Sequence, residues 1–459
     1  MEDNIKKIVV LGAGESGVGA ARLAQAQGYK VFVSDAGEIA SAFEAELKQY
    51  EIEYEMGQHT EVRVLEADEV VKSPGIPNEV PILEALRERN IPIISEIEFA
   101  SRCTDAKIIA ITGSNGKTTT TLLTYHLMQS AGFKVGLAGN IGDSFARKIL
   151  EEQPDYWVLE VSSFQLEHCF HFSPDIAILL NITPDHLDRY NNNFQRYVEA
   201  KFRIVQNLKA DQHFIYFKDN PAIAREMRKL NLPGQLWPIS IQETLENGAF
   251  LRDKALHFLL KKNKFQAQIP GEEIPLKGRH NLVNTMAAVL AGLQVGATVE
   301  VLRTYFHNFK GVEHRLEEVA EIAGVKFIND SKATNVDSVY YALDSFEERI
   351  VWIAGGVDKG NDYEKIFDLV KQKVKYMVCL GRDNQKIFNT FKDDIHIIYQ
   401  ADNMRDAVEQ AFELARAGDI VLLSPACASF DLFKNYEDRG QQFKKIVAKL
   451  NKIATLKGK

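Results

Sequence analysis

Cysteine is scarce in this sequence, and its four occurrences lie far apart. Cys103, Cys169, Cys379 and Cys427 form no CxxC pair in a chain of 459 residues. This spacing argues against a disulfide framework and against a zinc ribbon. We therefore expect reduced, mostly buried thiols in a cytoplasmic protein.

Long apolar runs and a surplus of basic residues are missing as well. No run approaches the roughly 20 residues that span a bilayer, and the N-terminus lacks the apolar segment of a signal peptide, so we expect no membrane insertion. The chain has 55 Lys and Arg against 63 Asp and Glu. The net charge of −8 argues against a nucleic-acid surface and suits a protein that handles small anions in local pockets.

What the chain does contain is an alternation of apolar runs and helical stretches from end to end. This rhythm indicates parallel α/β sheets, and the length predicts more than one domain. Shorter alternating segments within residues 213–276, at Phe214–Phe217 and Phe250–Leu260, indicate antiparallel strands. We expect a hinge near residues 308–314. The predicted domains are a Rossmann-like N-terminal domain (1–100), a central P-loop ATPase-like α/β domain with some antiparallel strands (101–311) and a Rossmann-like C-terminal domain (312–459).

A glycine-rich loop follows the apolar run Ile108–Ile111. It reads Thr-Gly-Ser-Asn-Gly-Lys-Thr and leads into a helical stretch over residues 119–130. Backbone N–H groups and the positive helix end favour phosphate, Lys117 adds a charge, and the Thr118 hydroxyl can reach Mg²⁺. The loop predicts a nucleoside triphosphate site, although Ile111 stands where the strict motif has its first glycine.

A second glycine loop, Gly12–Gly17, has GxGxxG spacing between a strand and a helix, and Asp35 ends the next strand. An NAD-dependent oxidoreductase would show both features. The spacing alone indicates a tight turn with room for a diphosphate. The loop could therefore bind another nucleotide, or could have no ligand and serve only the close packing of the strand and the helix. The turn Lys72–Pro77 follows another strand and could close over the same ligand.

Two strand ends supply candidate ligands for magnesium near the phosphate loop. Glu160 ends the apolar run that starts at Tyr156, and His186 follows the run Ile178–Asn181. Both should lie at the carboxyl edge of a parallel sheet, where ligands bind in open α/β folds. The alternatives are a surface carboxylate and an isolated histidine.

Lys201 lies within the apolar stripe of the helical stretch Asn193–Leu208. One interpretation is a lysine whose stem lies along the core while its ammonium reaches water. The other is an inward lysine with a lowered pKa, whose neutral amine adds CO₂ to form a carbamate, an anionic ligand for Mg²⁺. We adopt the second interpretation as a hypothesis.

Taken together, these segments resemble the Mur ligase superfamily, the ATP-dependent amide-forming enzymes of peptidoglycan precursor synthesis. The shortened phosphate loop of that family accounts for Ile111. The predicted C-terminal domain resembles the branch that adds D-glutamate, through Asn329–Asn335 and Ser424–Phe430. The other matching segments are Thr112–Thr119, Glu160–Ser163, Asn181–Asp188, Lys201, Gly278–Asn281 and Glu313–Arg315.

The resemblance implies a ligase that joins D-glutamate to UDP-N-acetylmuramoyl-L-alanine through an acyl phosphate, with ATP and two Mg²⁺ ions, and acts as a monomer. Implied catalytic residues are Lys117, Glu160, His186 and Lys201, and implied metal ligands are Thr118, Glu160, His186 and Lys201 as a carbamate. Implied ATP contacts are Gly113, Ser114, Asn115, Gly116, Lys117, Thr118, Thr119, Asn281, Arg315 and Asp330. Implied contacts to the UDP substrate are Gly14, Glu15, Ser16, Gly17, Asp35, Ser73, Gly75 and Asn140. Implied contacts to D-glutamate are Lys332, Thr334, Lys359, Ser429 and Tyr436.

Three other functions compete with this interpretation. A folylpolyglutamate synthase-like ligase shares the loop, but the Gly12–Gly17 segment argues against it. An oxidoreductase explains Gly12 to Asp35 and nothing after residue 105. A nucleotide-sensing protein would not need Glu160, His186 and Lys201 together. The role of Asp358, in a segment that departs from other family versions, stays open.

Overall fold

The computed structural model describes residues 6–261, 264–274, 276, 278–308, 313–358 and 360–457. The chain forms two compact units, which are described separately. Unit 1 comprises Met1–Glu273 and Val283–Tyr305, and unit 2 comprises Ile274–Leu282 and Phe306–Lys459. Lys359 and residues 309–312, where most of the expected hinge falls, lie outside the described residues.

The first sheet of unit 1 has five parallel strands in the order β3-β2-β1-β4-β5. The strand order reverses at β1, and open α/β sheets bind ligands at such a switch point, beyond the carboxyl ends of the strands. The strands are β1 Lys7–Leu11, β2 Lys30–Ser34, β3 Glu53–Glu55, β4 Glu69–Lys72 and β5 Ile93–Ser95, and the helices are α1 Glu15–Ala26, α2 Ser41–Gln49, α3 Glu61–Val64, α4 Pro81–Glu88 and α5 Glu96–Ser101.

The second sheet of unit 1 has nine strands in the order β14-β13-β12-β11-β10-β9-β6-β8-β7. Its strands are β6 Lys107–Thr112, β7 Val135–Gly139, β8 Tyr156–Glu160, β9 Ile176–Leu179, β10 His213–Phe217, β11 Gln235–Ser240, β12 Gly248–Arg252, β13 Ala255–Leu260 and β14 Phe265–Pro270. Its helices are α6 Lys117–Ser130, α7 Phe145–Glu151, α8 Ser163–Leu166, α9 Phe194–Phe202, α10 Pro221–Met227, α11 Arg279–Gln294 and α12 Val299–Asn308, with 3-10 turns at Leu187–Tyr190, Arg203–Val205 and Gly271–Glu273.

The prediction of antiparallel strands is confirmed in one segment and wrong in the other. Phe250–Leu260 contains the hairpin β12–β13, whose turn residues Asp253 and Lys254 have φ of 52° and 59°, as a tight primed turn requires. Phe214–Phe217, in contrast, belongs to β10, which pairs parallel with β9 and β11. Its carboxyl end is only half-buried, so it has the partial exposure that usually marks an antiparallel strand.

Unit 2 contains a six-stranded sheet in the order β15-β16-β20-β17-β18-β19. The predicted parallel sheet is confirmed, with one addition, because the edge strand β15 runs antiparallel to β16. The strands are β15 Glu317–Ile322, β16 Val325–Asn329, β17 Ile350–Gly355, β18 Val374–Leu380, β19 Ile398–Ala401 and β20 Ile420–Ala426. The helices are α13 Val336–Asp344, α14 Phe367–Lys373, α15 Gln385–Phe391, α16 Met404–Leu414 and α17 Tyr436–Lys457, with a 3-10 turn at Tyr363–Ile366.

Apolar side chains of both sheet faces form the cores. In unit 1, Trp157 and Phe145 are fully buried between β8 and α7, and in unit 2 Trp352 of β17 packs on Phe391. Within the described ranges, every helix is too short or too polar to cross a membrane.

Candidate active site

The phosphate loop connects β6, which lies between β9 and β8 in the nine-stranded sheet, to the N-terminus of α6. Gly116 occupies the position before α6 with φ of 84°, in the left-handed region that costs other residues energy. A Cβ atom there would also lie 2.4 Å from Oδ1 of Asn284. The sequence motif therefore has glycine here for two reasons, backbone conformation and space.

The loop is fixed from the end of the neighbouring strand β9. The side-chain amide of Asn181 accepts from Asn115 N at 2.8 Å and donates to Asn115 O at 2.9 Å. The Ser114 hydroxyl donates to Thr183 O at 3.0 Å, and Tyr197 OH lies 3.0 Å from it. The predicted nucleotide loop is thus held rigid by residues whose supporting role the sequence did not indicate.

Two lysines meet at one main-chain oxygen of this loop. Lys117 Nζ donates to Gly113 O at 2.8 Å and to Ser114 O at 2.9 Å. Lys201 Nζ donates to the same Gly113 O at 2.9 Å and lies 4.6 Å from the centre of the Tyr197 ring. The structure therefore brings together two residues that are 84 positions apart in the sequence numbering.

Lys201 is buried, with 1% of its surface exposed, so the alternative of an ammonium in water is wrong. Burial and the nearby charge of Lys117 lower the pKa of Lys201 well below its usual value, although Asp185 and Glu160 oppose this. A lowered pKa increases the share of the neutral amine at a given pH. That is the condition for carbamate formation.

Glu160, at the end of β8, is 2% exposed. Its Oε1 accepts from the Asn140 side-chain amide at 2.8 Å, and its main-chain oxygen accepts from Asn140 N at 2.8 Å. Thr118 is buried at the start of α6. A hydroxyl and a carboxylate near the phosphate loop form the hard oxygen donor set that suits Mg²⁺.

His186 lies at a sharp bend after β9, with φ of 51°. Its Nε2 is 3.6 Å from Oδ2 of Asp185, and its ring meets Phe164 edge-on with centroids 5.2 Å apart. Lys201 senses the charge of Asp185 as well as that of Glu160. Asp185, which precedes His186 in the sequence, is therefore part of the charge environment of the site.

The predicted UDP site is at the carboxyl edge of the five-stranded sheet. A Cβ on Gly17 would approach Gly12 O to 1.8 Å, so only glycine allows α1 to start against this loop. Asp35 accepts from Ala13 N at 2.6 Å and from Gly37 N at 2.8 Å. A carboxylate at this position organises the loop in addition to any contact with a ribose.

A cavity of about 600 Å³ opens beside this loop. Its lining includes Gly12, Asp35, His59, Gly75, Ile76, Pro77, Val80 and Pro81. His59, which the sequence did not single out, has its Nδ1 2.7 Å from the Ser34 hydroxyl. The volume and the mixed apolar and polar lining suit a nucleoside.

Glu15, another predicted UDP contact, also has a side chain that is engaged within the protein. Its carboxylate accepts from Ser144 N at 3.0 Å and from Arg147 Nε at 2.7 Å. Arg147 also pairs with Glu46. What Glu15 can offer an anion is therefore its main-chain N–H in the first turn of α1.

The remaining predicted ATP contacts belong to unit 2. Asp330 is 5% exposed, and its carboxylate accepts from the Ser424 hydroxyl at 2.8 Å and from Leu316 N at 3.3 Å. Burial raises the pKa of Asp330 to about 7, while Arg315 acts to lower it. Asn281 is 6% exposed near the start of α11.

The predicted amino-acid contacts lie on two neighbouring segments of unit 2. Lys332 has its ammonium 5.0 Å from the centre of the Tyr436 ring, and Ser429 is 2% exposed. The buried Arg439 joins the segments, because it donates to Ser331 O at 2.7 Å and to Cys427 O at 3.1 Å. Hydrogen bonds of Arg439 thus connect the segment that contains Lys332 to the segment that contains Ser429.

Asp358 shapes the bend that follows β17. Its carboxylate accepts from Gly360 N at 2.7 Å, from Asn361 N at 2.9 Å and from Tyr363 OH at 3.0 Å. Tyr363 OH also lies 3.3 Å from Sγ of Cys427. This network ties the bend to the segment that carries Ser429.

Three family descriptions match successive parts of the chain. The Mur ligase MurD-like N-terminal domain matches residues 6–95, the Mur ligase middle domain matches residues 111–292, and the Mur ligase glutamate ligase domain matches residues 314–427. The matched segments contain the two glycine loops and most of unit 2.

Curated proteins with the same arrangement are similar over almost the whole chain. The UDP-N-acetylmuramoylalanine–D-glutamate ligase of Bacteroides fragilis is 51% identical over 447 residues, which cover 97% of this chain and 100% of that protein. The enzyme of the same name from Cytophaga hutchinsonii is 50% identical over 447 residues, covering 97% and 99%. Among solved structures, a pseudomurein peptide ligase type C from Methanothermus fervidus superimposes with a TM-score of 0.61 at 18% identity, covering 97% and 100%.

Proposed function

Because the chain belongs to the Mur ligase family, we propose that it joins D-glutamate to UDP-N-acetylmuramoyl-L-alanine and converts ATP to ADP and phosphate. The relatives that share about half of its residues are named for this reaction. The family uses ATP, and the loop at Gly113–Thr118 is its site. The reaction contributes a precursor of the bacterial cell wall.

One observation supports this function above the others, the pairing of Lys117 and Lys201 on Gly113 O. A phosphate loop alone would suit any nucleotide-binding protein. A buried lysine with a strongly lowered pKa beside the loop lysine is unusual for a structural role, because burying an amine costs free energy. Such a lysine suits a site where its amine is converted to an anionic carbamate that holds Mg²⁺.

The proposed reaction activates a carboxylate and then forms an amide. The substrate carboxylate attacks the γ-phosphate and displaces ADP, which gives an acyl phosphate, and Lys117 stabilises the charge of the transferring phosphoryl group. Asn140, held against Glu160, positions the reacting carboxylate. The D-glutamate amine then attacks the acyl phosphate and phosphate leaves.

Two magnesium ions fit the residues present. Thr118 and Glu160 would hold one ion, and His186 and the carbamate of Lys201 would hold the other. The chemistry that the ions supply is neutralisation of the two anions that must approach each other. The carbamate nitrogen keeps one hydrogen, so Lys201 can retain its bond to Gly113 O.

Substrate recognition is divided along the chain. The proposed division is a UDP-binding domain (1–100), a central ATP-binding domain (101–311) and an amino-acid-binding domain (312–459). Lys332, Thr334, Ser429 and Tyr436, with Lys359, would bind the two carboxylates of D-glutamate. A cytoplasmic location is consistent with the four free thiols and with a need for ATP, and the proposed enzyme acts as a monomer.

The decisive experiment measures phosphate release from ATP by the full chain. Release should require both UDP-N-acetylmuramoyl-L-alanine and D-glutamate. Equal release with L-glutamate would refute the assigned amino acid, and release with a folate substrate would indicate the folylpolyglutamate alternative. Lys117→Met should abolish release, whereas Lys107→Met, at the amino end of β6 and away from the phosphate loop, should leave it unchanged.

A further inference from the structure

The turn after β4 has an unusual set of hydrogen bonds. All four carbonyl oxygens of Ser73–Ile76 accept from a cationic side chain. Lys72 Nζ donates to Ile76 O at 2.6 Å and to Ser73 O at 3.2 Å. Arg189 donates to Gly75 O and Ile76 O at 3.2 Å each and to Pro74 O at 3.3 Å.

Lys72 is a costly residue in this position. It is the last residue of β4 and only 2% exposed, and among the described residues its ammonium donates only to main-chain carbonyls. Burial lowers the pKa of Lys72 to about 8, with Arg189 and Arg87 acting in the same direction and Glu167 opposing it. Burying a lysine without a hydrogen-bonded carboxylate costs free energy of folding, so packing alone does not explain Lys72.

Arg189 reaches the turn from a different part of unit 1. It lies in the 3-10 turn Leu187–Tyr190, three residues after His186, and its guanidinium is 4.5 Å from the centre of the Phe164 ring. The ring of His186 packs on the same phenyl group. The segment that follows β9 therefore fixes the turn from the side of the nine-stranded sheet.

With the carbonyls engaged, the amide groups determine what the turn can bind. Ser73 N donates to Leu11 O at 2.9 Å, Ile76 N donates to Ser73 O at 3.2 Å, and Pro74 has no N–H. Gly75 N has no acceptor among the described residues. Gly75 lines the 600 Å³ cavity, and a Cβ built on it would meet nothing within 4 Å.

We propose that Lys72 and Arg189 are positioning residues that orient this turn for a nucleoside diphosphate. They draw the partial negative charges of the carbonyls to one side, which leaves Gly75 N–H available to a phosphate oxygen at the cavity. Their two positive charges also offset carbonyl dipoles that would repel the diphosphate. This inference rests on the proposed UDP-sugar substrate and explains how its diphosphate is selected.

The test compares UDP with uridine, by calorimetry on the full chain without ATP or magnesium. Wild-type protein should bind UDP more tightly than uridine. Lys72→Met and Arg189→Gln should each weaken UDP binding about tenfold, the effect of losing a hydrogen bond to a charged group, with little change for uridine. A purely structural role would weaken both ligands equally.

Lys7→Met is the matched control. Lys7 also donates to a main-chain carbonyl, Arg63 O at 3.3 Å, in the same sheet but away from the turn, so its loss should leave both affinities unchanged. Unchanged UDP affinity in Arg189→Gln, or parallel losses for UDP and uridine, would overturn the inference. If Lys72→Met does not fold, the UDP and uridine affinities of Arg189→Gln, whose site is partly exposed, test the inference alone. Failure of the wild-type protein to bind either ligand would instead refute the proposed function.

Discussion

Gly116 allows a sharp test of the phosphate loop, because α6 has a second glycine with the same backbone angle at its other end. Gly116 has φ of 84° and Gly132 has φ of 85°. Alanine at either position would adopt a left-handed conformation at a cost of about 1–2 kcal/mol. The two substitutions therefore share the same backbone penalty.

They differ in what the new methyl group meets. At Gly132 a Cβ has nothing within 4 Å, whereas at Gly116 it would lie 2.4 Å from Asn284 Oδ1. Asn284 is 2% exposed, so its amide must move out of a buried position, which costs about 1–3 kcal/mol. We expect Gly116→Ala to unfold at a clearly lower temperature than Gly132→Ala.

ATP binding should separate the two variants further. Titration with a non-hydrolysable ATP analogue and Mg²⁺ should show at least a tenfold weaker affinity for Gly116→Ala, about 1.4 kcal/mol, because the loop amides that surround the phosphates are displaced. Gly132→Ala should bind like the wild type. Adding Asn284→Ala to Gly116→Ala should recover part of the lost stability. Equal ATP affinities in the two glycine variants would refute the assignment of this loop.

Three further substitutions test other parts of the chain. Burial raises the pKa of Glu96 to about 7, so the stability that its protonated carboxyl contributes is complete below about pH 4.5 and is lost as the pH rises through 7. Glu96→Gln should therefore raise the free energy of unfolding at pH 8 by up to about 3 kcal/mol, measured as a higher thermal midpoint, and change it little at pH 5. Tyr363→Phe removes the hydrogen bond to Asp358 and should raise the KM for D-glutamate severalfold at constant KM for ATP. Tyr399→Phe, which loses a similar hydrogen bond elsewhere in unit 2, should change neither KM, and equal effects of the two substitutions would exclude a positioning role for Tyr363. Lys201→Met should lower kcat about a hundredfold or more and abolish the carbamate signal in ¹³C NMR with labelled bicarbonate, and full activity would refute the carbamate.

The sequence predicted the strand ends well, because a buried parallel strand is a short apolar run and its last residue can be read directly. Glu160 ends β8 as expected. The inward position of Lys201 followed from the helical spacing of α9, and its 1% exposure confirms that position. Local patterns of this kind specify which face a side chain occupies.

Contacts between distant segments could not be predicted in the same way. Nothing near Lys72 in the sequence indicates that Arg189 will share its carbonyl partners, and the close approach of Asn284 to Gly116 depends on how α11 packs. The parallel pairing of β10 was missed because partial exposure, and not strand direction, sets the sequence pattern. Such features are set by packing between elements, to which local propensity contributes little.

The arrangement of Lys117 and Lys201 connects the cost of a buried lysine to its proposed chemistry. Two ammonium groups on Gly113 O repel each other, and Lys201 is the one whose pKa is lowered, by its full burial and by the charge of the partly exposed Lys117. Addition of CO₂ to the neutral amine releases a proton and converts this repulsion into attraction between the carbamate and Lys117. The loop lysine therefore favours the modification twice, by lowering the pKa of the amine and by pairing with the product.

We expect Lys117→Met to reduce carbamylation of Lys201 even when no nucleotide is present. Without the neighbouring charge, the pKa of Lys201 should rise and the carbamate should lose its counter-ion, and both effects favour the free ammonium. The carbamate fraction at fixed pH and bicarbonate can be measured by ¹³C NMR, with Lys107→Met as the control that leaves it unchanged. An equal carbamate fraction in Lys117→Met and wild-type protein would show that burial alone, without the loop lysine, determines the state of Lys201.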